Sequence, residues 1–432
     1  MQTLKDVNER MQQEWNARAV EDANFYVAFG RRQQDPEEFF ATASEVVQGL
    51  EGELRRITAR YPRARRALEI GCGPGRLLRP MSRHFGEIHG VDVSDEMIAR
   101  AQANLRDIPH AHAHHTTGSD LAPFADNSFE FVYSYAVFQH IPSLDVVLNY
   151  WREAHRVMRP GAILRAQING LPKTAPTYDT WSGVRISADE VKAFTRDHDF
   201  QLLALEGVQT QYMWTTWRKR EPGWLKPDPS ACARIRRITN AHSSEPVAPP
   251  IGRFSSFTLW LEDLPDNCDL NHLVCTIGAR EAFLTYLGPR ERDGLQQLNV
   301  MVPKGTPTGL QPIQLEWLGR PLCAPRTVRI IPPGPQVPTI LSFTDGINML
   351  AGQDIISGTV KVTIEEVHNL SHVRASFDET PAPQVEVFCA DPLPPRYEIN
   401  IVVPNEVPAG PVNLYVTIGE RKLGPMGLTI RR

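Results

Sequence analysis

Three glycines at alternate positions, Gly71, Gly73 and Gly75, directly follow a short apolar run, Ala67–Ile70. A strand, a glycine loop and a helix make up the first unit of a nucleotide-binding α/β sheet, because glycine lets the backbone approach a ligand that a Cβ atom would block. Asp92 lies 17 residues after Gly75, where a second strand is predicted to end. A carboxylate there can accept hydrogen bonds from both hydroxyl groups of a ribose. The spacing therefore predicts a nucleoside site.

The spacing of the loop also distinguishes between cofactors. Dinucleotide-binding loops follow the pattern G-x-G-x-x-G, in which the third glycine allows close helix packing and the pyrophosphate lies at the helix N-terminus. This chain has G-x-G-x-G, and Arg76 stands at the position of the third glycine. The pattern disfavours NAD and FAD. It favours a ligand that has no pyrophosphate but carries a zwitterionic amino-acid tail.

Five segments in chain order resemble the motifs of class I S-adenosylmethionine-dependent methyltransferases. They are Leu68–Gly75; Gly90–Ser94 with Met97; Gly118–Leu121 with Pro123 and Phe124; Phe129–Ser134 with Val137–Ile141; and Arg156–Ala162. The resemblance extends less specifically over residues 1–220. It implies an α/β Rossmann-like methyltransferase domain that uses S-adenosylmethionine.

The resemblance also implies which residues bind the cofactor. They are Glu69, Gly71, Cys72, Gly73, Gly75, Asp92, Val93, Met97, Ser119, Asp120, Leu121 and Ser134. Glu69 and the loop glycines are expected around the methionine moiety, and Asp92 at the ribose. Asp120 is expected at the adenine amino group, Leu121 over the adenine ring, and Ser134 near the sulfonium through its carbonyl group.

Methyl transfer from a sulfonium is an in-line displacement, so the protein mainly has to align an acceptor atom and exclude water. An acceptor that starts protonated also needs a general base. His140 is the candidate, because it follows the fourth predicted strand and imidazole titrates near neutral pH. Gln139 is expected to orient the acceptor. The alternative is that His140 packs under the cofactor or forms a hydrogen bond with the backbone.

Five further residues are candidates for the wall of the acceptor pocket: Trp15, Tyr26, Asn169, Tyr178 and Tyr212. Trp15 and Tyr26 lie in a predicted N-terminal helix that folds over the cofactor in related enzymes. Their rings suit a sulfonium or a cationic substrate. The aromatic content of the set suggests an apolar or aromatic acceptor. Packing against the sheet is the alternative role for each ring.

The run His110–His115 invites a metal hypothesis, because alternation places His110, His112 and His114 on one face of a strand. No cysteine or carboxylate cluster flanks the run at ligand spacing. A structural role as the third strand of the sheet is therefore expected, and no metal site is predicted.

The composition limits the class of protein. The chain has 432 residues, 41% hydrophobic content and a net charge of -4, which predicts two to four domains and no nucleic-acid partner. It contains no apolar run of roughly 20 residues and no signal-peptide pattern, so a cytoplasmic protein without a membrane partner is expected. The six scattered cysteines are then expected to be free thiols.

The second half of the chain reads as short strands separated by proline and glycine turns. It contains a repeat with a period near 100 residues, in which Leu298–Pro303 matches Ile399–Pro404. These modules resemble bacterial immunoglobulin-like domains, so the fold class is an α/β Rossmann-like domain followed by two all-β sandwiches. The predicted organisation is a methyltransferase domain at 1–220, a linker at 221–253, and sandwiches at 254–332 and 333–432.

The leading hypothesis is a methyltransferase that acts on an O- or N-nucleophile of a small molecule, with an aromatic acceptor as one option. Its sandwiches would shape the acceptor site, bind a partner or drive homo-oligomer formation. One alternative is a protein methyltransferase whose sandwiches recruit the substrate. Another is a binding or scaffold protein with a vestigial methyltransferase domain.

Overall fold

The computed structural model describes residues 4–28, 32–58, 61–175, 177–228, 230–334, 337–347, 349–367, 370, 372–391 and 396–431. These residues fall into two compact units. Unit 1 comprises Met1–Ala23, Pro36–Pro250 and Phe254–Pro332, and unit 2 comprises Asn24–Asp35, Ile251–Arg253 and Pro333–Arg432. No helix in the described ranges is long and apolar enough to cross a membrane.

The first half of the chain contains the helices and seven strands. The helices are α1 Leu4–Ala28, with non-helical backbone at Asp22, α2 Pro36–Ala41, α3 Ser44–Glu53, α4 Leu78–Met81, α5 Asp95–Asn104, α6 Leu144–Val157 and α7 Ala188–Asp197. The strands are β1 Arg66–Ile70, β2 Glu87–Asp92, β3 Ala111–His115, β4 Phe129–Ser134, β5 Met158–Ile168, β6 Phe200–Glu206 and β7 Met213–Lys219.

These strands form a sheet in the order β3-β2-β1-β4-β5-β7-β6, and only β7 runs antiparallel to its neighbours. Every residue of β4 is buried, as expected for a parallel strand that is covered on both faces. The order of the strands reverses between β1 and β4. Ligands of open α/β sheets bind at such a reversal, beyond the carboxyl ends of the strands. The predicted Rossmann-like sheet is therefore confirmed, and the glycine loop leaves it at this place.

The second half of the chain consists of strands. Those of unit 1 are β8 Arg234–Asn240, β9 Val247–Ala248, β10 Ser256–Glu262, β11 Leu273–Ile277, β12 Arg280–Ala282, β13 Leu284–Arg290, β14 Gln296–Met301, β15 Gly309–Trp317, β16 Arg320–Pro321 and β17 Arg326–Ile330. Those of unit 2 are β18 Thr339–Asp345, β19 Asp354–Ile355, β20 Thr359–Glu365, β21 Val373–Phe377, β22 Thr380–Pro381, β23 Val385–Asp391, β24 Arg396–Val402, β25 Gly410–Ile418 and β26 Arg421–Ile430.

The two sets of strands have the same topology. In the first set the sheets run β13-β14-β10-β8 and β12-β11-β15-β17-β9, and in the second they run β23-β24-β20-β18 and β22-β21-β25-β26-β19. The matched repeat segments occupy equivalent strands, since Leu298 pairs with Leu259 and Ile399 pairs with Val362. The sequence repeat is therefore one duplicated two-sheet module. Its classification as immunoglobulin-like stays a prediction.

The structure corrects the predicted linker at residues 221–253. Strands β8 and β9 lie within that segment, and β8 pairs with β10 as an edge of the first sandwich. A bulge opposite Trp260 and Leu261 skips Arg236, so Ile235 and Ile238 approach the core although they are three residues apart. The bulge breaks the period of two that identifies a strand from sequence.

The first sandwich also continues the α/β sheet. Strand β13 pairs with β6 through Tyr286 and Ala204, which joins eleven strands into one sheet. The Gln201 side chain donates to the carbonyl oxygens of Asp266 and Cys268 at 2.8 and 2.6 Å. One hydrophobic core contains side chains from both parts. The expected separate domain ending at residue 220 is thus fused with the first sandwich in unit 1.

Candidate active site

The glycine loop is anchored to β2 by its backbone. The amides of Gly71 and Cys72 donate to the carbonyl oxygen of Val91 at 2.8 and 2.9 Å. Gly71 has φ of +73°, and a Cβ atom on it would lie 2.2 Å from a methyl carbon of Val137, in the turn after β4. Only glycine allows this approach. The loop after β1 and the turn after β4 therefore meet at the point where the strand order reverses.

Asp92 connects the end of β2 to the same loop. Its two carboxylate oxygens accept hydrogen bonds from the backbone amides of Gly73 and Ser94, both at 2.9 Å. A carboxylate offers about four acceptor positions, so each oxygen retains capacity for a further donor. Asp92 can therefore accept further hydrogen bonds, as the diol of a ribose would require, and its role at the ribose stays a prediction.

Glu69 supplies a second carboxylate at the end of β1. Its side chain is buried, and Tyr133 donates its hydroxyl hydrogen to it at 3.1 Å. Burial raises the pKa of Glu69 well above its usual range, and this effect exceeds the opposing ones of Tyr133 and Arg76. A buried carboxylate of this kind is stabilised by a cation, which fits the ammonium group of a methionine moiety.

The predicted adenine-side residues come together in the loops after β2 and β3. A Cβ atom on Gly118 would lie 2.5 Å from Val93, so the two loops touch. The side chains of Met97 and Leu121 are buried below them. The Asp120 carboxylate accepts from the Thr117 hydroxyl at 2.7 Å and from the amide of Ala122 at 3.1 Å.

Helix α1 lies across this edge of the site. Asn8 donates to the Ser119 hydroxyl at 2.8 Å, and Gln12 donates to Asp95 at 2.9 Å. The hydroxyl of Ser94 donates to Asn16 at 2.6 Å. Because Asn8, Gln12 and Asn16 recur every four residues, they share one face of the helix. This polar stripe was not among the predicted site residues, although its spacing of four residues could have revealed it. Ser134, at the end of β4, donates from its hydroxyl to the carbonyl oxygen of Ile70 at 2.9 Å.

His140 lies in a short helical turn after β4 and is buried. Its Nδ1 is 2.9 Å from the carbonyl oxygen of Trp181, which can only accept, so Nδ1 carries the hydrogen. Its Nε2 then accepts from the Gln139 amide at 3.2 Å, and Gln139 in turn accepts from Gln167 at 3.0 Å. Burial lowers the pKa of His140 to about 4. The ring is neutral at pH 7 and makes the backbone hydrogen bond that was the alternative to catalysis.

Trp15 and Trp181 border His140. The Trp15 and His140 ring centroids are 5.5 Å apart in an edge-on arrangement, and those of His140 and Trp181 are 6.0 Å apart. The Arg18 guanidinium carbon lies 4.7 Å from the Trp15 ring centroid and 5.5 Å from that of Trp181. A cation of the protein itself, Arg18, therefore already lies against the Trp15 ring, and the role of Trp15 toward a substrate stays a prediction.

The other predicted pocket residues have different surroundings. Asn169 accepts from the amide of Leu171 at 3.1 Å and donates to the Ser182 carbonyl oxygen at 3.4 Å, so it holds both ends of the loop 171–182. Tyr178 is half-buried in that loop. Tyr212 lies in the turn between β6 and β7 with about half of its surface exposed. Tyr26 belongs to unit 2, and its role at the site stays a prediction.

The histidine run forms β3, as expected. His114 Nε2 lies 2.9 Å from His89 Nδ1 on β2, and their rings stack at 5.2 Å. Burial lowers the pKa of both side chains, that of His89 to about 4. Across the described ranges, no group of three or more histidine, cysteine or acidic side chains has an arrangement that could hold a metal ion.

Comparison with known proteins points to the same part of the chain. A family described as "Methyltransferase domain" matches residues 68–166. A ubiquinone biosynthesis O-methyltransferase from Ruegeria pomeroyi is 31% identical over 154 residues, which are 33% of this chain and 60% of that protein. Phosphoethanolamine N-methyltransferase 2 from Caenorhabditis elegans is 31% identical over 96 residues, which are 22% of this chain and 21% of that protein. The chain thus spans less than two thirds of either relative.

Among solved structures, the chain matches magnesium protoporphyrin IX methyltransferase from Synechocystis PCC 6803 with bound S-adenosylmethionine. It is 13% identical, covers 51% of this chain and 100% of its own, and has a TM-score of 0.37. The sheet order, the two carboxylates at the glycine loop and the matched segment together identify residues 68–166 as a class I S-adenosylmethionine-dependent methyltransferase domain.

Proposed function

We propose that this chain transfers a methyl group from S-adenosylmethionine to a small-molecule acceptor. The observation that carries the proposal is the pair of carboxylates, Glu69 and Asp92, on either side of a glycine loop at the reversal of strand order. Glu69 suits an ammonium group, and Asp92 suits a ribose diol. When bound, S-adenosylmethionine supplies a methyl group on a positively charged sulfur.

The residues around the site position the reactants and exclude water. Helix α1 covers the edge formed by the loops after β2 and β3 through Asn8, Gln12 and Asn16. Trp181 and Gly183 pack against the turn after β4: the Trp181 carbonyl oxygen is 2.9 Å from His140 Nδ1, and a Cβ atom on Gly183 would lie 2.1 Å from the Gln139 carbonyl oxygen. We assign His140 and Gln139 to acceptor positioning. Before His140 could abstract a proton, the Gln139 amide would have to release the lone pair on His140 Nε2.

The intact hydrogen bonds of Asp92 and of the loop favour an active enzyme over a vestigial domain. The two-sheet modules support a role in shaping the acceptor site, recruiting a partner or self-association. Protein methylation is the second candidate for the acceptor class.

The test has two stages. The purified chain is first titrated calorimetrically with S-adenosylmethionine, and binding is expected. It is then incubated with methyl-tritiated cofactor and a pool of small metabolites, and methylated products are identified by mass spectrometry. Tritium that enters only protein would favour protein methylation. Binding of the cofactor without methyl transfer to any acceptor would favour the scaffold role. A chain that does not bind the cofactor would refute the proposal.

Cofactor affinity is expected to rise with pH because of Glu69. The raised pKa of Glu69 keeps part of the empty site protonated at mildly acidic pH, whereas the bound ammonium group favours the carboxylate. The complex then holds fewer protons than the free protein, so Kd falls with rising pH, by up to about tenfold per pH unit, and levels off above the pKa of the empty site. Calorimetry from pH 5 to pH 8 measures this dependence. Glu69→Gln should bind more weakly at neutral pH with a flatter profile, and an equally steep profile in that variant would exclude Glu69 as the cause.

A further inference from the structure

The guanidinium of Arg18 is held in an unusual environment on α1. Its side chain is 17% exposed, and Nη2 donates to the Thr180 hydroxyl at 2.9 Å. Arg18 also forms an ion pair with Glu14, whose carboxylate oxygen is 3.6 Å from Nη2 and thus beyond hydrogen-bond distance. The other terminal nitrogen, Nη1, is buried and has no hydrogen-bond partner among the residues that the structure describes. Buried donors are rarely left unpaired in proteins, so this nitrogen lacks an acceptor that a ligand can supply.

The acidic side chains nearby are already engaged. Glu14 accepts from Arg10 at 2.8 Å and also from Thr180. Asp179 accepts from the amides of Trp181 and Ser182 at 2.9 and 2.7 Å, which shapes the loop 171–182. Neither carboxylate forms a hydrogen bond with Arg18. The guanidinium therefore retains capacity for an anion, with which a bidentate pairing is strongest.

A chain of contacts connects Arg18 to the glycine loop. Trp15 and Trp181 flank the guanidinium, and both rings border His140. His140 follows Val137, whose side chain touches the glycine loop at Gly71. Arg18, Trp15, Trp181 and His140 form a cluster. Trp181 is 45% exposed, so this cluster reaches the protein surface. An acceptor bound there lies between solvent and the methionine end of the cofactor site.

No side chain around Arg18 is a strong base at neutral pH, because carboxylates are weak bases and those of Glu14 and Asp179 already accept hydrogen bonds. His140 uses Nδ1 as a donor to Trp181, and the Gln139 amide holds its Nε2. Burial lowers the pKa of His140 to about 4, so its basicity is weak. Tryptophan, arginine and glutamine are not bases. An acceptor whose nucleophilic atom is already an anion needs no general base.

We propose that Arg18, between Trp15 and Trp181, binds a carboxylate of the acceptor and that this carboxylate is the group methylated. The inference rests on the proposed methyl transfer. A carboxylate oxygen uses a lone pair to bond the methyl carbon while the carbon–sulfur bond breaks and its electron pair stays on sulfur. The products are a methyl ester and S-adenosylhomocysteine, and no proton is taken up or released.

The first experiment measures binding rather than turnover. The full chain, saturated with S-adenosylhomocysteine, is titrated calorimetrically with indole-3-acetate and with the uncharged indole-3-acetamide. The carboxylate is expected to bind at least about tenfold more tightly, because charge-assisted hydrogen bonds are the stronger ones. Arg18→Gln should remove the preference, and Arg18→Lys should keep part of it. Lys5→Gln, which removes an exposed positive charge from the same helix, should leave the preference unchanged.

The second experiment identifies the bond that forms. Methyl-tritiated S-adenosylmethionine is supplied with aromatic carboxylic acids, and the products are treated with base, which releases volatile methanol from methyl esters but not from ethers or methylamines. Base-labile label that disappears in Arg18→Gln supports the proposal. Equal binding of acid and amide, no binding of either, a preference that survives Arg18→Gln, or base-stable label would overturn it. A separate titration with S-adenosylhomocysteine precedes both experiments, and failure to bind it would instead refute the proposed function.

Discussion

A chain that ends at Arg220 is expected to lose cooperative unfolding and to aggregate. The cut removes β13, which pairs with β6, and leaves Gln201 without the carbonyl oxygens of Asp266 and Cys268. It also divides a single hydrophobic core. Each large apolar side chain that becomes exposed costs about 1.5–3 kcal/mol, and a few of them exceed the roughly 5–15 kcal/mol that stabilises a native protein. Circular dichroism during heating and binding of a hydrophobic dye measure the effect.

A chain that ends at Pro332 is the matched control, since it retains the last segment of unit 1. It is expected to unfold cooperatively and to bind S-adenosylmethionine. If the shorter chain instead melted cooperatively at the temperature of the full chain, the continuous sheet would contribute nothing to the stability of the methyltransferase domain. The two cuts differ because the sheet continues beyond residue 220, which the sequence predicts as a domain boundary.

Asp92→Ala is expected to weaken binding of S-adenosylhomocysteine by about 100-fold or more. The substitution removes the acceptor for the ribose diol and the two hydrogen bonds that tie Gly73 and Ser94 to the end of β2. Hydrogen bonds to a charged group contribute about 1.5–3 kcal/mol each, and two of them already account for a factor of this size. Calorimetry gives Kd directly, and the melting temperature of the free protein shows whether the variant is folded.

Asp228→Ala is the control for this substitution. Asp228 is exposed and lies outside the proposed site, and like Asp92 it accepts from a backbone amide two residues further on, that of Ser230 at 2.9 Å. Its loss is expected to change Kd by less than about threefold, in line with the small contribution of exposed polar pairs. A folded Asp92→Ala protein that keeps the affinity of the unchanged chain would remove Asp92 from the cofactor site and weaken the proposed function.

The sequence by itself determined the features that depend on neighbouring residues. The glycine loop, its missing third glycine and Asp92 act through local backbone geometry, so their spacing identified the cofactor class before any contact was known. The duplicated module was equally visible, because strand periodicity and turn residues repeat along the chain. The matched segments Leu298–Pro303 and Ile399–Pro404 do occupy equivalent strands in the two sandwiches.

Only the tertiary structure decided what surrounds these features. Strand β8 escaped detection because a bulge breaks its alternation, and the pairing of Ala204 with Tyr286 joins two sheet edges that are distant in sequence. Arg18 meets Thr180 across 162 positions of the chain, and no local pattern predicts such a contact. Motifs and periodicity are local properties, whereas the partners of sheet edges and of buried polar groups depend on where distant segments pack. The sequence therefore identified the cofactor, and the fold determined which groups can meet the acceptor.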